Sequence, residues 1–311
     1  MNMEQAKIAV IGCGNVGTTI AHSLVMKDVA TEIILIDVDE KKARGNALDL
    51  EDTLFFSNWT GYVDHNDYAL AAQADIIILC AGIAQKPGQS RLDLLETNKS
   101  ILQEITQKLN PLNPNALVII VTNPVDILTW YAQQWLPLPK NQIFGSGTYI
   151  DSVRFMNLIG KKIGANPQNI YAYVLGEHGD TQVPIWSSVF VDGTPIDEYR
   201  SFLNKSHTPL LSQKDKDEIS DAVKNRAYEI IADKGNSTFG IAACVTSMCQ
   251  AIVFSALEMP ASSYQEKYGV CMSAMATIGP KGVGKHTGFE ISESEERLLE
   301  LSAQQIKKYL I

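Results

Sequence analysis

The stretch "AVIGCGNVG" (residues 9–17) constrains the fold more than any other part of the chain. It begins in a short continuous apolar run, "KIAVI", and opens into a helical pattern. Gly12, Gly14 and Gly17 lie between the two at G-x-G-x-x-G spacing. Twenty residues after Gly17, Asp37 closes a second apolar run, "EIILID". A lone glycine pattern is weak. Placed after a strand, before a helix and upstream of an acidic residue, it reads as a dinucleotide site. Gly12 permits the tight turn, Gly14 lets the backbone approach a pyrophosphate, and Gly17 lets helix and strand pack closely. The helix N-terminus then faces phosphate with its positive dipole end. A carboxylate at Asp37 accepts from ribose hydroxyls and repels a 2′-phosphate, which favours NAD over NADP. The plain alternative is a strand–turn–helix whose glycines serve packing alone, and Asp37 speaks against it.

The apolar runs "ADIIILCAG" and "ALVIIVTNP" follow, alternating with helical patterns. Continuous Val/Ile/Leu runs between helices read as parallel strands covered on both faces. The expected class is α/β: a Rossmann-type doubly wound parallel sheet followed by an α+β substrate domain. After "IFGSGTYID" the texture changes. "VDGTPIDEY" predicts an antiparallel hairpin, "DEISDAVKNRAYEIIADKG" an amphipathic helix stopped by glycine, and "STFGIAACVTSMCQAIVFSAL" an apolar helix. In the last helix Ser292 and Glu295 form a capping box, with Leu298, Leu299, Leu301 and Ile306 as expected buried positions. The expected units are 1–145, binding the cofactor, and 146–311, carrying the chemistry.

With 26 Lys and Arg against 35 Asp and Glu, the net charge is −9. Without a basic run, such a chain is a poor binder of nucleic acid or anionic membranes. The five cysteines match neither a disulfide framework nor a zinc-ligand spacing, so they read as reduced thiols. No metal site is expected. The first strand begins near Lys7, leaving no room for a signal peptide, and no apolar run reaches membrane length. A cytoplasmic protein is expected.

Ligands of open α/β sheets bind beyond the carboxyl ends of the strands. "VTNP" puts Asn123 at one such end, and "AGIAQKPGQSRLDLL" carries Gln85 and Arg91 past another, on a segment whose Pro87, Gly88 and Ser90 suit a mobile lid. Asp151 and Arg154 stand three apart in "GTYIDSVRF", so on a helix they share a face. "VLGEHGDTQ" sets His178 between glycine and acidic residues after a short apolar run. Taken singly, each has a bland reading: a surface arginine, an exposed helical ion pair, a loop histidine. His22, His65, His207 and His286 keep that reading.

"GCGNVG", "AQKPGQSRLDLLETNK", "VTNPVDILT", "GSGTYIDSVRF" and "GEHGDTQVPIWS" resemble the L-lactate dehydrogenase branch of the lactate/malate dehydrogenase family. The resemblance implies roles. His178 is the acid–base for a 2-oxo acid carbonyl, and Asp151 pairs with it. Arg154 grips the substrate carboxylate, Arg91 polarises the carbonyl, and Asn123 orients substrate beside the nicotinamide. Val16, Lys42, Tyr68, Gly82, Thr122 and Ser146 match positions lining the cofactor.

Three further expectations follow from the resemblance. Gln85 stands where malate dehydrogenases carry arginine, so a second substrate carboxylate has no counter-charge, and pyruvate is favoured over oxaloacetate. Ser237 stands where lactate dehydrogenases usually carry threonine; the lost methyl opens the pocket, and the runner-up is a branch acting on longer 2-oxo acids. Met156 and Tyr171 replace the arginine and histidine through which bacterial relatives bind fructose 1,6-bisphosphate, so no activation by that ligand is expected. A homotetramer is implied, paired through the helix of "EKKARGNALDLEDTLFF". A protein that senses NADH without turnover is the alternative of another class, and it would not need His178, Asp151, Arg154 and Arg91 together.

Overall fold

Residues 7–11, 32–36, 76–79 and 117–120 are short runs of β-branched and other apolar side chains, and each forms a strand. The computed structural model describes residues 6–57, 61–83, 91–199, 210–285 and 289–310, the side chains of 91–93 excepted. The chain runs β1 (Lys7–Ile11), α1 (Asn15–Met26), β2 (Glu32–Ile36), α2 (Glu40–Asp52), β3 (Tyr62–His65), α3 (Tyr68–Ala72), β4 (Ile76–Leu79), α4 (Arg91–Lys108), β5 (Leu117–Ile120), α5 (Val125–Trp135) and β6 (Ile143–Gly145). It continues through α6 (Tyr149–Ile163), β7 (Ile170–Tyr171), β8 (Val174–Leu175), β9 (Val183–Pro184), β10 (Phe190–Val191), β11 (Thr194–Pro195) and α7 (Gln213–Lys234). It ends with α8 (Phe239–Val253), β12 (Leu257–Gln265), β13 (Val270–Gly279), β14 (Gly282–Lys285) and α9 (Glu293–Lys307).

The main sheet has the order β14-β13-β12-β6-β5-β4-β1-β2-β3. From β3 to β6 all pairs are parallel, and the order reverses between β1 and β4. That reversal is the doubly wound topology expected from sequence, and it opens a crevice at the strand ends. Each parallel strand serves two cores. Ile8 and Val10 of β1 pack with Ile20 and Leu24 of α1 and with Val245 and Met248 of α8. Ala9 and Ile11 face the other way, towards Leu95 and Leu102 of α4 and Leu128 of α5. A buried aliphatic side chain contributes about 1.5–3 kcal/mol relative to exposure, so both faces must be covered.

The sheet does not stop at β6. An antiparallel hairpin, β12–β13, continues it through the pairing of Ser262 with Gly145. A third core, built on Phe155 and Ile159 of α6 and Val223 of α7, closes over β7, β8 and β10. The hairpin expected in "VDGTPIDEY" is β10–β11, turned by Asp192 and Gly193, both at positive φ.

Helix ends follow the sequence signals. Gly235 ends α7 in the left-handed conformation. Ser292 and Glu295 form the capping box of α9. Leu299 and Ile306 face the core as expected, but Leu298 and Leu301 do not. The buried stripe of α9 runs through Leu299, Ser302, Ala303 and Ile306, at spacings of three and four, and the other two leucines fall on its outer face. All five cysteines are free, and burial raises each thiol above its ordinary range. Among the described residues no helix is long and apolar enough to cross a membrane.

Candidate active site

The glycine turn between β1 and α1 has three different environments. Gly12 holds φ at +105°, and a Cβ there would lie 2.4 Å from the Ala81 nitrogen. At Gly17 a Cβ would fall 1.9 Å from the Gly12 carbonyl oxygen. At Gly14 a Cβ would meet nothing within 4 Å. Turn and packing therefore need Gly12 and Gly17, while Gly14 leaves its face of the backbone open. The first turn of α1 also has no side-chain cap and no acidic residue. By contrast α2, α7 and α9 are each capped by a side chain. Uncapped N–H groups beside an open glycine fit a pyrophosphate.

Asp37, at the end of β2, is fixed from both sides. Its Oδ2 accepts from the Cys13 amide at 2.8 Å and its Oδ1 from the Asp39 amide at 3.0 Å. Lys42 Nζ lies 3.7 Å from Asp37 Oδ2. Tyr68 opens α3 near the same carboxylate: burial first, then Asp37, raises its phenol pKa. Val16 is half-buried on α1. Gly82 follows β4, and a Cβ there would lie 2.4 Å from Thr122 Cγ2. Thr122 donates to the Ala81 carbonyl at 2.8 Å, and Ser146 is buried just past β6. The expected cofactor positions thus fall beyond the carboxyl ends of β1 to β6, along one side of the parallel sheet.

The expected chemical residues meet on that side. Nδ1 of His178 lies 2.7 Å from Asp151 Oδ2, and Arg154 Nη1 donates to Asp151 Oδ1 at 2.9 Å. Asp151 and Arg154 share one face of α6, as their spacing predicts. Hydrogen bonds set β8, which leads into the His178 loop, over the first turn of α6. The Val174 amide donates to Ser152 Oγ at 2.9 Å, and the Thr148 hydroxyl donates to the Val174 carbonyl. From β13, Ser273 Oγ accepts from the Thr148 amide at 2.9 Å.

Electrostatics in the group oppose desolvation. Burial alone would lower the His178 pKa. The charge and hydrogen bond of Asp151 outweigh it, Asp126 adds to them, and the imidazole ends raised. Burial alone would raise Asp151, but His178 and Arg154 hold it below the ordinary carboxylate range. The His178 side chain keeps 23% exposure. It opens onto a cleft lined by Asn123, Ile127, Asp151, Tyr228 and Ile231, among others. Such a group can hold a proton on an imidazole and give it to a bound carbonyl oxygen.

Two expected residues lie outside the described set: Gln85 entirely, and Arg91 in its side chain, though Arg91 is the first residue of α4. Ser237, expected on the pocket wall, sits half-buried in the link between α7 and α8, and α7 lends Tyr228 and Ile231 to the cleft. Sequence reading passed over Asp126, Ser262 and Asn98. Asn98 is buried and joins two strand ends, accepting from the Ile83 amide at 2.8 Å and donating to the Asn123 carbonyl at 2.8 Å. Asp126 accepts from the His178 amide at 2.7 Å. Its signal was present: a carboxylate between Val125 and Ile127 on an otherwise apolar helix start.

Comparison with known proteins agrees with this geometry. Residues 6–145 match the lactate/malate dehydrogenase NAD binding domain, and residues 148–310 match the alpha/beta C-terminal domain of the same family. L-lactate dehydrogenase A of Rhizopus oryzae is 37% identical over 303 residues, covering 97% of this chain and 91% of that protein. L-lactate dehydrogenase of Bacillus velezensis is 35% identical over 315 residues, covering 100% and 98%. The crystal structure of the minor L-lactate dehydrogenase from Enterococcus mundtii has a TM-score of 0.92 at 35% identity, covering 99% of this chain and 98% of that one. With a glycine turn and Asp37 shaped for the dinucleotide and both halves of the chain matched, the chain belongs to the lactate/malate dehydrogenase family and is an NAD-dependent oxidoreductase.

Proposed function

We propose that the chain is an NAD-dependent L-lactate dehydrogenase that interconverts pyruvate and (S)-lactate, with His178 as the acid–base. The observation that carries the catalytic assignment is the His178–Asp151–Arg154 group, held at 2.7 and 2.9 Å beside the cofactor positions. Bound at the glycine turn, NADH supplies the hydride for the carbonyl carbon. Nδ1 of His178 is engaged by Asp151, which leaves Nε2 to face substrate and give its proton to the carbonyl oxygen. In the reverse direction neutral His178 takes the hydroxyl proton. Asp151 stabilises the imidazolium and fixes the ring. Arg154 binds the substrate carboxylate with its planar fork. Asn123 orients substrate, and Arg91, from the start of α4, polarises the carbonyl.

The substrate reading rests on Gln85: a neutral amide there leaves a second carboxylate unpaired. The runner-up, a dehydrogenase of longer 2-oxo acids, rests on the methyl group that Ser237 lacks relative to threonine. The test is kcat/KM with NADH for pyruvate, 2-oxoisocaproate and oxaloacetate side by side. Pyruvate should lead; a lead by 2-oxoisocaproate would transfer the chain to the runner-up.

The two units, 1–145 and 146–311, work as cofactor and substrate halves in this reading, supported by the family matches to 6–145 and 148–310. A homotetramer is supported by the exposed Phe55 and Phe56 after α2 and Phe239 on α8, apolar surface of the kind subunits bury. Light scattering should give four times the chain mass; a monomer would overturn it. Reduced thiols fit a cytoplasmic setting.

A further inference from the structure

Asn98, about two turns into α4, is 1% exposed. Its neighbours on the inner face of the helix, Leu95 and Leu102, belong to the core that also takes Ala9 and Ile11 of β1. An amide buried there is costly unless its polar atoms are met. Among the described residues α4 has one other buried polar side chain, Thr106, whose hydroxyl is engaged within its own helix, by the Gln103 carbonyl at 2.8 Å. Asn98 reaches outwards instead. Its Oδ1 accepts the Ile83 amide at 2.8 Å, and its Nδ2 donates to the Ile83 carbonyl at 3.2 Å and to the Asn123 carbonyl at 2.8 Å. One side chain thus grips both backbone groups of Ile83, past β4, and a carbonyl past β5. A Cβ at Gly82 would fall 3.0 Å from the same Oδ1, so the amide also packs on the cofactor turn.

Asn123 lines the cleft with His178 and Asp151. Its Oδ1 accepts the Val125 amide at 3.3 Å, so Nδ2 is the end left to donate to a substrate oxygen. We propose that Asn98 is a positioning residue for the reaction: its amide, bonded to Ile83 and to the Asn123 carbonyl, aims the Asn123 side chain at the substrate. The proposal rests on Asn123 orienting a 2-oxo acid, as in the function proposed above. Arg154 holds the substrate carboxylate, and Asn123 turns the carbonyl towards His178. Without Asn98 the Asn123 carbonyl loses this partner, and the side chain turns with its backbone. Misplacement by about 1 Å can cost about a hundredfold in rate. An amide that only tied α4 to the sheet would change stability and leave the aim of Asn123 untouched.

The experiment is a double-mutant cycle on the full chain: wild type, Asn98→Asp, Asn123→Ala and the double variant. Measured are kcat and KM for pyruvate, with NADH affinity by fluorescence, at a temperature where the variants are folded. Asn98→Asp keeps the shape and the acceptor for the Ile83 amide, and sets an oxygen against the Ile83 and Asn123 carbonyls. Its kcat should fall about 10- to 100-fold. KM for pyruvate, held by Arg154, and NADH affinity should stay within about threefold. Because Asn98 acts through Asn123, the double variant should lose no more than Asn123→Ala does alone. An unchanged kcat in Asn98→Asp overturns the proposal. So do losses that multiply in the double variant, which belong to a general structural anchor. If Asn98→Asp does not fold, Asn98→Ser, shorter and uncharged, takes its place under the same criteria. A loss in Asn123→Ala with none at position 98 overturns Asn98 alone; no loss in Asn123→Ala overturns the role of Asn123, and the proposal with it.

Discussion

Nδ1 of His178 lies 2.7 Å from Oδ2 of Asp151, although 27 positions of chain separate them. The loop after β8 brings the base, and the first turn of α6 brings the carboxylate. Asp151→Asn should keep NADH affinity and lower kcat by about 10²- to 10⁴-fold, the range for acid–base catalysis. The falling limb of the reduction profile should move to lower pH, because the amide no longer stabilises the imidazolium. The linkage has a definite sign. His178 is raised above its ordinary 6.5, so its share of stability is complete below that value and is lost as pH rises through the folded pKa. Asp151 is depressed below 3.8, so its share is present above that value and is lost as pH falls through the folded pKa. The Tm gap between wild type and Asp151→Asn should therefore be widest between the two ordinary values, and thermal scans over that window check it.

Gly14 and Gly17 should respond differently to the same added methyl group. Gly17→Ala drives a Cβ into the Gly12 carbonyl oxygen, costing about 3 kcal/mol of stability. Gly14→Ala meets nothing and keeps an ordinary φ of −77°, so its Tm should change by no more than about 2 °C. Its methyl group intrudes where phosphates approach the α1 N-terminus, and NADH affinity should drop about tenfold. Thermal melts beside NADH titrations separate the two effects.

Asp37 should set the choice of dinucleotide. Asp37→Ser removes the charge that opposes a 2′-phosphate and leaves Lys42, now 3.7 Å from the carboxylate, without its partner. The ratio of kcat/KM with NADPH to that with NADH should rise at least about tenfold, on the scale of one charged hydrogen bond. An unchanged ratio would remove Asp37 from the ribose site.

Fructose 1,6-bisphosphate should leave KM for pyruvate unchanged at neutral pH. Met156 is half-buried on α6 and Tyr171 is exposed at β7. Neither carries a charge for phosphate. Initial-rate assays with and without the sugar bisphosphate check this, and a large fall in KM would refute it.

The cofactor half was legible because its signals are local. The spacing of Gly12, Gly14, Gly17 and Asp37 and the continuous apolar strands each depend on a few consecutive residues, and strand period and turn sterics turn such patterns directly into structure. The candidate catalytic group was legible only as residue types in matching motifs. Asp151 and Arg154 were close by helical spacing, but nothing local joined either to His178. Leu298 and Leu301 were misjudged because an amphipathic pattern gives a helix without settling which apolar side chains its neighbours cover.

The sequence by itself determined a doubly wound sheet, a dinucleotide turn and the set of residues able to move a proton. Tertiary structure alone decided where that proton donor sits. The pairing of Ser262 with Gly145 carries the sheet past its parallel half. It thereby sets the Ser262 hydroxyl against Asp126, and Asp126 against the His178 peptide. Those contacts join β12, α5 and the loop after β8, across 136 and 52 positions of chain. No local pattern encodes them, because a buried carboxylate takes whatever donors the packed elements bring to it.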